Sequence, residues 1–310
     1  MRACLWLAVV VATAGSAYAD DPKFVYGNYS DVKDVKKPEW TASAEAGLVV
    51  TTGTTDSTTA TGGFKVSRKE GNNRLALEAS GTYAKTGTLV LNDLNGNGTI
   101  DNTDELVERD QVTAETLASK ARYDRFLTSD NSLFVAALAG RDLPAGVDAR
   151  YGGQLGYSRQ LYKSKTSTTT GEIGYDFSRE DLTVGPGVSV HSGRLFIGHK
   201  AQLLAGADLD ASIEALTNFN HETLPTGQDG SAFNDTRVNL RVAISAKVSS
   251  SIAFQTSIES HFDNRPGPLT LPSGSAPFAM GFVPPAAEVE TIMKVSLIYT
   301  FLQPPAPPKK

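Results

Sequence analysis

The stretch RVNLRVAISAKV, residues 237–248, constrains this chain more than any other. Val238, Leu240, Val242, Ile244, Ala246 and Val248 fall on one side; Arg237, Asn239, Arg241, Ser245 and Lys247 fall on the other. A period of two marks a β-strand with one apolar face. The same pattern runs through IAFQTSIESHF, where Ile252, Phe254, Ile258 and Phe262 alternate with Gln255, Ser257, Glu259 and His261. In EVETIMKVSLIYTF, Val289, Met293, Val295, Leu297, Tyr299 and Phe301 oppose Glu290, Lys294, Ser296 and Thr300. Weaker versions begin near Trp40, Thr58, Arg74, Val112, Leu133, Ala149, Ser167, Gly193 and Ala211, which makes about twelve strands, with ten or fourteen still open.

The connections say which kind of all-β fold this is. Those at 70–73, 129–132, 162–166, 205–209 and 249–251 are short. The alternate ones are longer, at 86–110, 179–191, 220–235 and 264–286, with shorter members near 52–57 and 142–148. Strict alternation of long and short loops places them on opposite rims of an antiparallel up-and-down barrel, as in transmembrane β-barrels. No apolar run is long enough for a transmembrane helix, and in lipid a closed barrel is the only other way to pair every backbone group. The expected fold is therefore a transmembrane antiparallel up-and-down β-barrel over residues 40–302. A soluble secreted barrel that binds an apolar ligand is the rival.

Aromatic residues support two interfacial belts. Trp40, Tyr123, Tyr157, Phe254 and Tyr299 lie toward the tight-turn rim, and Tyr83, Tyr151, Phe177, Phe219 and Phe262 toward the long-loop rim. With the apolar face on lipid, the lumen receives Glu45, Lys65, Glu78, Lys120, Arg122, Asp124, Arg150, Glu172, Asp176, Lys200, Glu214, Arg241, Lys247, Glu259, His261, Glu290 and Lys294. Both signs are mixed there. The set allows a salt-bridged interior that holds the barrel's shape or a narrow, weakly selective pore, and it gives no single-sign stripe for a specialised ion channel.

The first nineteen residues, MRACLWLAVVVATAGSAYA, have a basic residue, an apolar core and an Ala-Tyr-Ala end, and read as a secretory signal peptide cut before Asp20. Residues 20–39 are then a periplasmic N-terminal segment, and the Pro-rich 303–310 a periplasmic tail. Cys4 is the single cysteine, so the mature chain has no disulfide. With 29 basic and 34 acidic residues and a net charge of −5, nucleic acid is not an expected partner. Outer-membrane lipid, lipopolysaccharide and, during insertion, the barrel assembly machinery are.

One motif departs from the barrel pattern. In DLNGNGTIDNTD, Asp93, Asn95, Asn97, Thr99 (through its carbonyl), Asp101 and Asp104 occupy positions 1, 3, 5, 7, 9 and 12 of an EF-hand-type Ca²⁺ loop, with Gly98 at the sharp turn and Ile100 at position 8. A shorter carboxylate at position 12 and neutral Asn ligands suit weak binding, about 10⁻⁴ to 10⁻³ M. On an external loop, the ion would act as a staple; the alternative is an Asn/Gly turn formed for backbone reasons alone.

Four segments, WTASAEAGLVVTTGTTDSTTATGGFKV, SKARYDRFLTSDNSLFVAALAGRD, DARYGGQLGYSRQLYKS and TGEIGYDFSRED, with the terminal KVSLIYTF, resemble the bacterial outer-membrane β-barrel family known as salt-induced outer membrane proteins, a group of unknown function. The resemblance spans most of 40–302 and implies an outer-membrane barrel with no catalytic residues to carry over. The calcium-like insertion and the tail LQPPAPPKK depart from it. The four histidines, His191, His199, His221 and His261, have no zinc-site spacing. His191-Ser192 and Ser260-His261 are the only hints of a barrel hydrolase, and no nucleophile motif accompanies them. The expectation is a passive barrel rather than an enzyme.

Overall fold

The computed structural model describes residues 37–51, 57–91, 106–143, 145–204, 206–268 and 283–302. Fourteen strands follow in chain order: β1 (Glu39–Thr51), β2 (Ser57–Glu70), β3 (Asn73–Leu91), β4 (Leu106–Phe126), β5 (Asn131–Asp142), β6 (Val147–Lys163), β7 (Ser167–Leu182), β8 (Val188–Leu204), β9 (Ala207–Asn218), β10 (Glu222–Thr223), β11 (Asp229–Gly230), β12 (Thr236–Lys247), β13 (Ile252–Asp263) and β14 (Val289–Leu302). All but β10 and β11 form one closed antiparallel barrel of twelve strands, each paired with its chain neighbours, with β14 returning to β1. β10 and β11 make a small hairpin within the connection from β9 to β12.

The alternation of the sequence becomes the two faces of the wall. Along β12, Leu240, Val242 and Ile244 are exposed while Ala243 between them is buried. Along β14, Val289, Met293, Val295, Leu297, Tyr299 and Phe301 are all exposed, and Glu290 is buried. Leu75, Leu77 and Tyr83 face outward on β3, opposite Arg74, Ala76 and Glu78. In water such an arrangement is inverted, since apolar side chains outside and charges inside gain nothing from the hydrophobic effect. Both aromatic tiers are present: Trp40, Tyr123, Phe254 and Tyr299 are exposed near one rim, and Tyr83, Tyr151, Phe219 and Phe262 nearer the other. Tyr157 and Phe177 are half-buried.

Loop lengths alternate only in part: 92–105, 219–235 and 264–288 are long, whereas 143–146 is no longer than the turns 127–130 and 248–251. β3 and β4 stay paired out to Leu91 against Leu106, so β4 begins at Leu106 rather than near Val112, and the connection is 92–105 rather than 86–110. The β-prone runs Thr86–Leu91 and Leu106–Val112 continue the ladder beyond the barrel wall. β7 and β8 likewise leave only 183–187 between them, not 179–191. The expected signal peptide 1–19, residues 20–36 of the expected periplasmic segment, the tail 303–310 and the calcium-like loop lie outside the described residues.

Glycines let the wall curve. At Gly152 on β6, a Cβ would come within 2.2 Å of the Phe177 carbonyl oxygen on β7, so the two backbones approach more closely there than any side chain allows.

Candidate functional site in the barrel lumen

Two halves of the lumen differ in what fills them. On the side of β4 to β9 the inward positions carry large, charged or aromatic side chains. Arg122 on β4 donates to both Glu172 oxygens on β7 at 3.1 and 2.7 Å, and to Asp124 Oδ1 at 2.9 and 2.7 Å. Arg74 on β3 holds the other Asp124 oxygen at 2.9 Å. Arg194 on β8 donates to Glu172 Oε2 at 2.8 Å and pairs with Glu214 on β9. Asn239 on β12 continues the chain to Glu214 at 3.2 Å, and His261 on β13 meets Asn239 at 2.9 Å.

The result is one ionic network reaching from β3 to β13 across the barrel. Its guanidiniums rest on aromatic faces: Arg122 stands 3.9 Å from the centroid of Phe134, and Arg194 5.3 Å from that of Phe196. Planar, weakly hydrated guanidinium suits this combination of bidentate pairing and stacking better than an ammonium would. Arg122 and Arg194 are each 1% exposed, so this level of the lumen is packed with side chains.

Two further networks flank it. Toward the long loops, Arg237 binds Glu180, Asp235 and Asp263, and Arg150 joins Glu180 at 3.1 Å. Toward the tight turns, Glu259 receives Lys294 at 2.8 Å and Arg241 at 3.4 Å, and Arg241 and Lys200 share Asp210 at 3.6 and 3.7 Å. Each carboxylate here has at least one cationic partner, which is the condition for burying charge without a prohibitive desolvation cost.

The opposite half, formed by β1 to β4 with β13 and β14, is lined by small polar residues. Thr61, Ser80, Thr82, Thr116, Ser257 and Ser296 border a cavity of about 450 Å³ of empty space. It has room for about one or two water molecules. Glu45 and Lys294 are its charged members.

All the lumen residues named from sequence lie on the inward strand positions or at the rim; Lys247, at the tight-turn rim, is exposed and pairs with Asp208 at 3.4 Å. Sequence reasoning missed Arg74, Arg194, Glu180, Asp210, Asp235 and Asp263. Arg194 alternates in phase with Ser192 and Phe196, and a large aromatic on an otherwise polar face was the signal that could have revealed it.

The histidine–serine hints do not converge. Ser192 is buried on the lumen side, whereas His191 points the other way, onto Tyr175 and Phe177. Ser260 bonds Thr291 on the outside while His261 faces Asn239 within. Neighbours on a strand point to opposite faces, so neither pair can act on one substrate atom. The six calcium-loop positions, Asp93 to Asp104, lie outside the described residues. Among the described residues, no three His, Cys, Asp or Glu side chains gather as a metal site.

The family model described as "Protein of unknown function, DUF481" matches residues 44–270. No curated relative matches the chain in sequence. Among solved structures, the NanC porin is 10% identical, with a TM-score of 0.43, covering 84% of this chain and 98% of that one. The translocator domain of the autotransporter NalP from Neisseria meningitidis is 12% identical with a TM-score of 0.40, covering 85% and 88%. An anion-selective porin from Comamonas acidovorans is 9% identical with a TM-score of 0.36, covering 86% and 99%.

Proposed function

The chain belongs to the family of unknown function DUF481, and we propose that it is an integral β-barrel of the Gram-negative outer membrane that serves as a narrow passive pore, with both termini in the periplasm. The observation that carries the membrane reading is the wall itself: a closed barrel with apolar residues outside and ion pairs inside. Lipid is the solvent in which that polarity is favourable, and closure leaves no backbone edge to satisfy there. β1 starts and β14 ends on the rim of tight turns, the periplasmic rim of such barrels. Outer-membrane lipid and lipopolysaccharide would surround the wall, and the barrel assembly machinery would insert it.

The ionic network braces the lumen and leaves the hydroxyl-lined half as the route for water and small polar solutes. Planar-bilayer recording tests the route. Small discrete conductance steps are expected, and a silent bilayer containing folded protein would make this a structural barrel instead. The membrane reading has its own test: mature protein that stays soluble without detergent after cell lysis overturns it and favours a soluble ligand-binding barrel.

The 93–104 loop is proposed to bind one Ca²⁺ on the external rim. What supports this is the fit of Asp93, Asn95, Asn97, Thr99, Asp101 and Asp104 to the ligand pattern. The β3–β4 ladder also brings Leu91 opposite Leu106, so the two ends of the 14-residue connection 92–105 that carries the motif are held together. The role is local ordering, not catalysis.

A further inference from the structure

Closure of the barrel is uneven at its last joint. β1 pairs with β2 over its whole length, from Glu39 to Thr51, and β14 pairs with β13 from Val289 to Tyr299. Yet among the described residues, the ladder between β1 and β14 covers only Ala42–Ala46 against Leu297–Leu302, with a register shift between Ala42 and Ser43. It stops toward the long-loop half. The two strands still touch at Gly47, where a Cβ would lie 2.8 Å from the Val295 carbonyl oxygen and 2.6 Å from Thr61 Oγ1, so the unpaired stretch of β1 begins at Leu48. Beyond that point, Leu48 is 69% exposed.

Backbone edges that do not pair with each other cannot face hydrocarbon; at membrane depth they are tolerated only against water or polar groups. The hydroxyl-lined cavity supplies those groups, because Glu45, Thr61, Lys294 and Ser296, all at or beside this seam, line it. Lys294 is committed to Glu259 at 2.8 Å, whereas Glu45 forms no ion pair among the described residues. Just outside the seam the surface is apolar, with Leu48, Met293 and Val295 exposed.

From this juxtaposition we infer that the long-loop half of the β1–β14 seam is a lateral portal between the bilayer and the lumen, which takes a single-chain amphiphile with a cationic amine head. The alkyl chain lies along Leu48, Met293 and Val295. The ammonium reaches Glu45, and its N–H groups donate to carbonyls of the seam's edges. The inference rests on the membrane placement of the barrel.

Hydrogen exchange of the full mature protein in lipid nanodiscs tests it. Peptides covering Leu48–Thr51 and Val289–Val295 should exchange about tenfold or more faster than those covering Ala42–Ala46 and Leu297–Phe301, since pairing on both sides protects an amide. Octylammonium should slow exchange in the first set, octanoate should not, and Glu45→Gln should abolish the octylammonium effect while the rest of the barrel stays protected. Equal protection of both halves in inserted protein overturns the portal. Equal effects of octylammonium and octanoate, or an undiminished effect in Glu45→Gln, overturn the assigned head group. Protein that fails to enter nanodiscs and remains soluble would instead remove the membrane reading on which the portal stands.

Discussion

Glu172 accepts from Arg122 on β4 and Arg194 on β8 while standing on β7 between them. Glu172→Ala leaves two guanidiniums in a packed, nearly inaccessible level without their shared anion, a change that costs about 3–5 kcal/mol when a buried pair is broken from one side. Replacing four together, as Arg122→Met, Glu172→Leu, Arg194→Met and Glu214→Leu, removes two cations and two anions with their desolvation penalty and leaves Asp124 with Arg74, and should cost less. Urea-driven equilibrium unfolding from lipid vesicles, followed by Trp40 fluorescence, measures both. A quadruple variant less stable than Glu172→Ala would show that the ions hold the lumen together beyond neutralising each other. Outside the wall the same scale gives a second comparison. Val242→Arg sets a charge on the apolar exterior and should cost about 2–4 kcal/mol if it lies near the bilayer midplane. Arg241→Ala, one residue away, should be milder, because Glu259 keeps Lys294 at 2.8 Å. Small, equal losses at both positions would mean that no lipid-facing band exists there.

At the level of elements, the faces of each strand were legible and their partners across the lumen were not. Period two assigns Arg122 and Glu172 inward by counting along their own strands. That they meet across β5 and β6 depends on barrel curvature, on Ala136 beside Arg122, and on Gly156, where a Cβ would come within 2.8 Å of the Phe134 ring that Arg122 stacks on, which no single strand encodes. Strand ends were misjudged where β-prone residues prolong a hairpin past the wall, as in β3 and β4. That extension sharpens what the calcium-like loop must do. With the ladder closed at Leu91 and Leu106, only 92–105 is left outside it. Calcium at about millimolar levels should protect 92–105 from protease on intact cells, chelation should expose it, and Asp93→Ala with Asp101→Ala should leave it cleaved regardless. The ladder of β3 and β4 should survive in every case, because its backbone bonds do not involve the ion. Cleavage indifferent to calcium in the unmodified protein would remove the metal site.

For the whole molecule, the decisive property is that the lumen is filled unevenly. A symmetric pore would pass ions along its axis, through the level of Arg122 and Arg194. Here that level is closed by side chains, and the space left over lies in two places: a hydroxyl-lined cavity along β1 to β4, β13 and β14, and a cavity of about 660 Å³ beside Arg150, Asp176, Arg237 and His261 on the long-loop side of the ionic half. The proposed path of a solute along the hydroxyl-lined half is therefore eccentric, and substitutions tell the two halves apart. Ser80→Trp puts an indole into a cavity with room for only about one or two waters, and should abolish most of the single-channel conductance with the barrel still folded. Glu172→Gln alters the ionic plate while keeping its size and one hydrogen-bonding oxygen, and should leave the step size nearly unchanged. Folding of both variants is checked by the shifted gel mobility of unheated barrels, so that loss of conductance is not mistaken for loss of structure. If Ser80→Trp conducts normally while Glu172→Gln changes the steps, solutes cross through the plate, and the hydroxyl-lined half is only packing space.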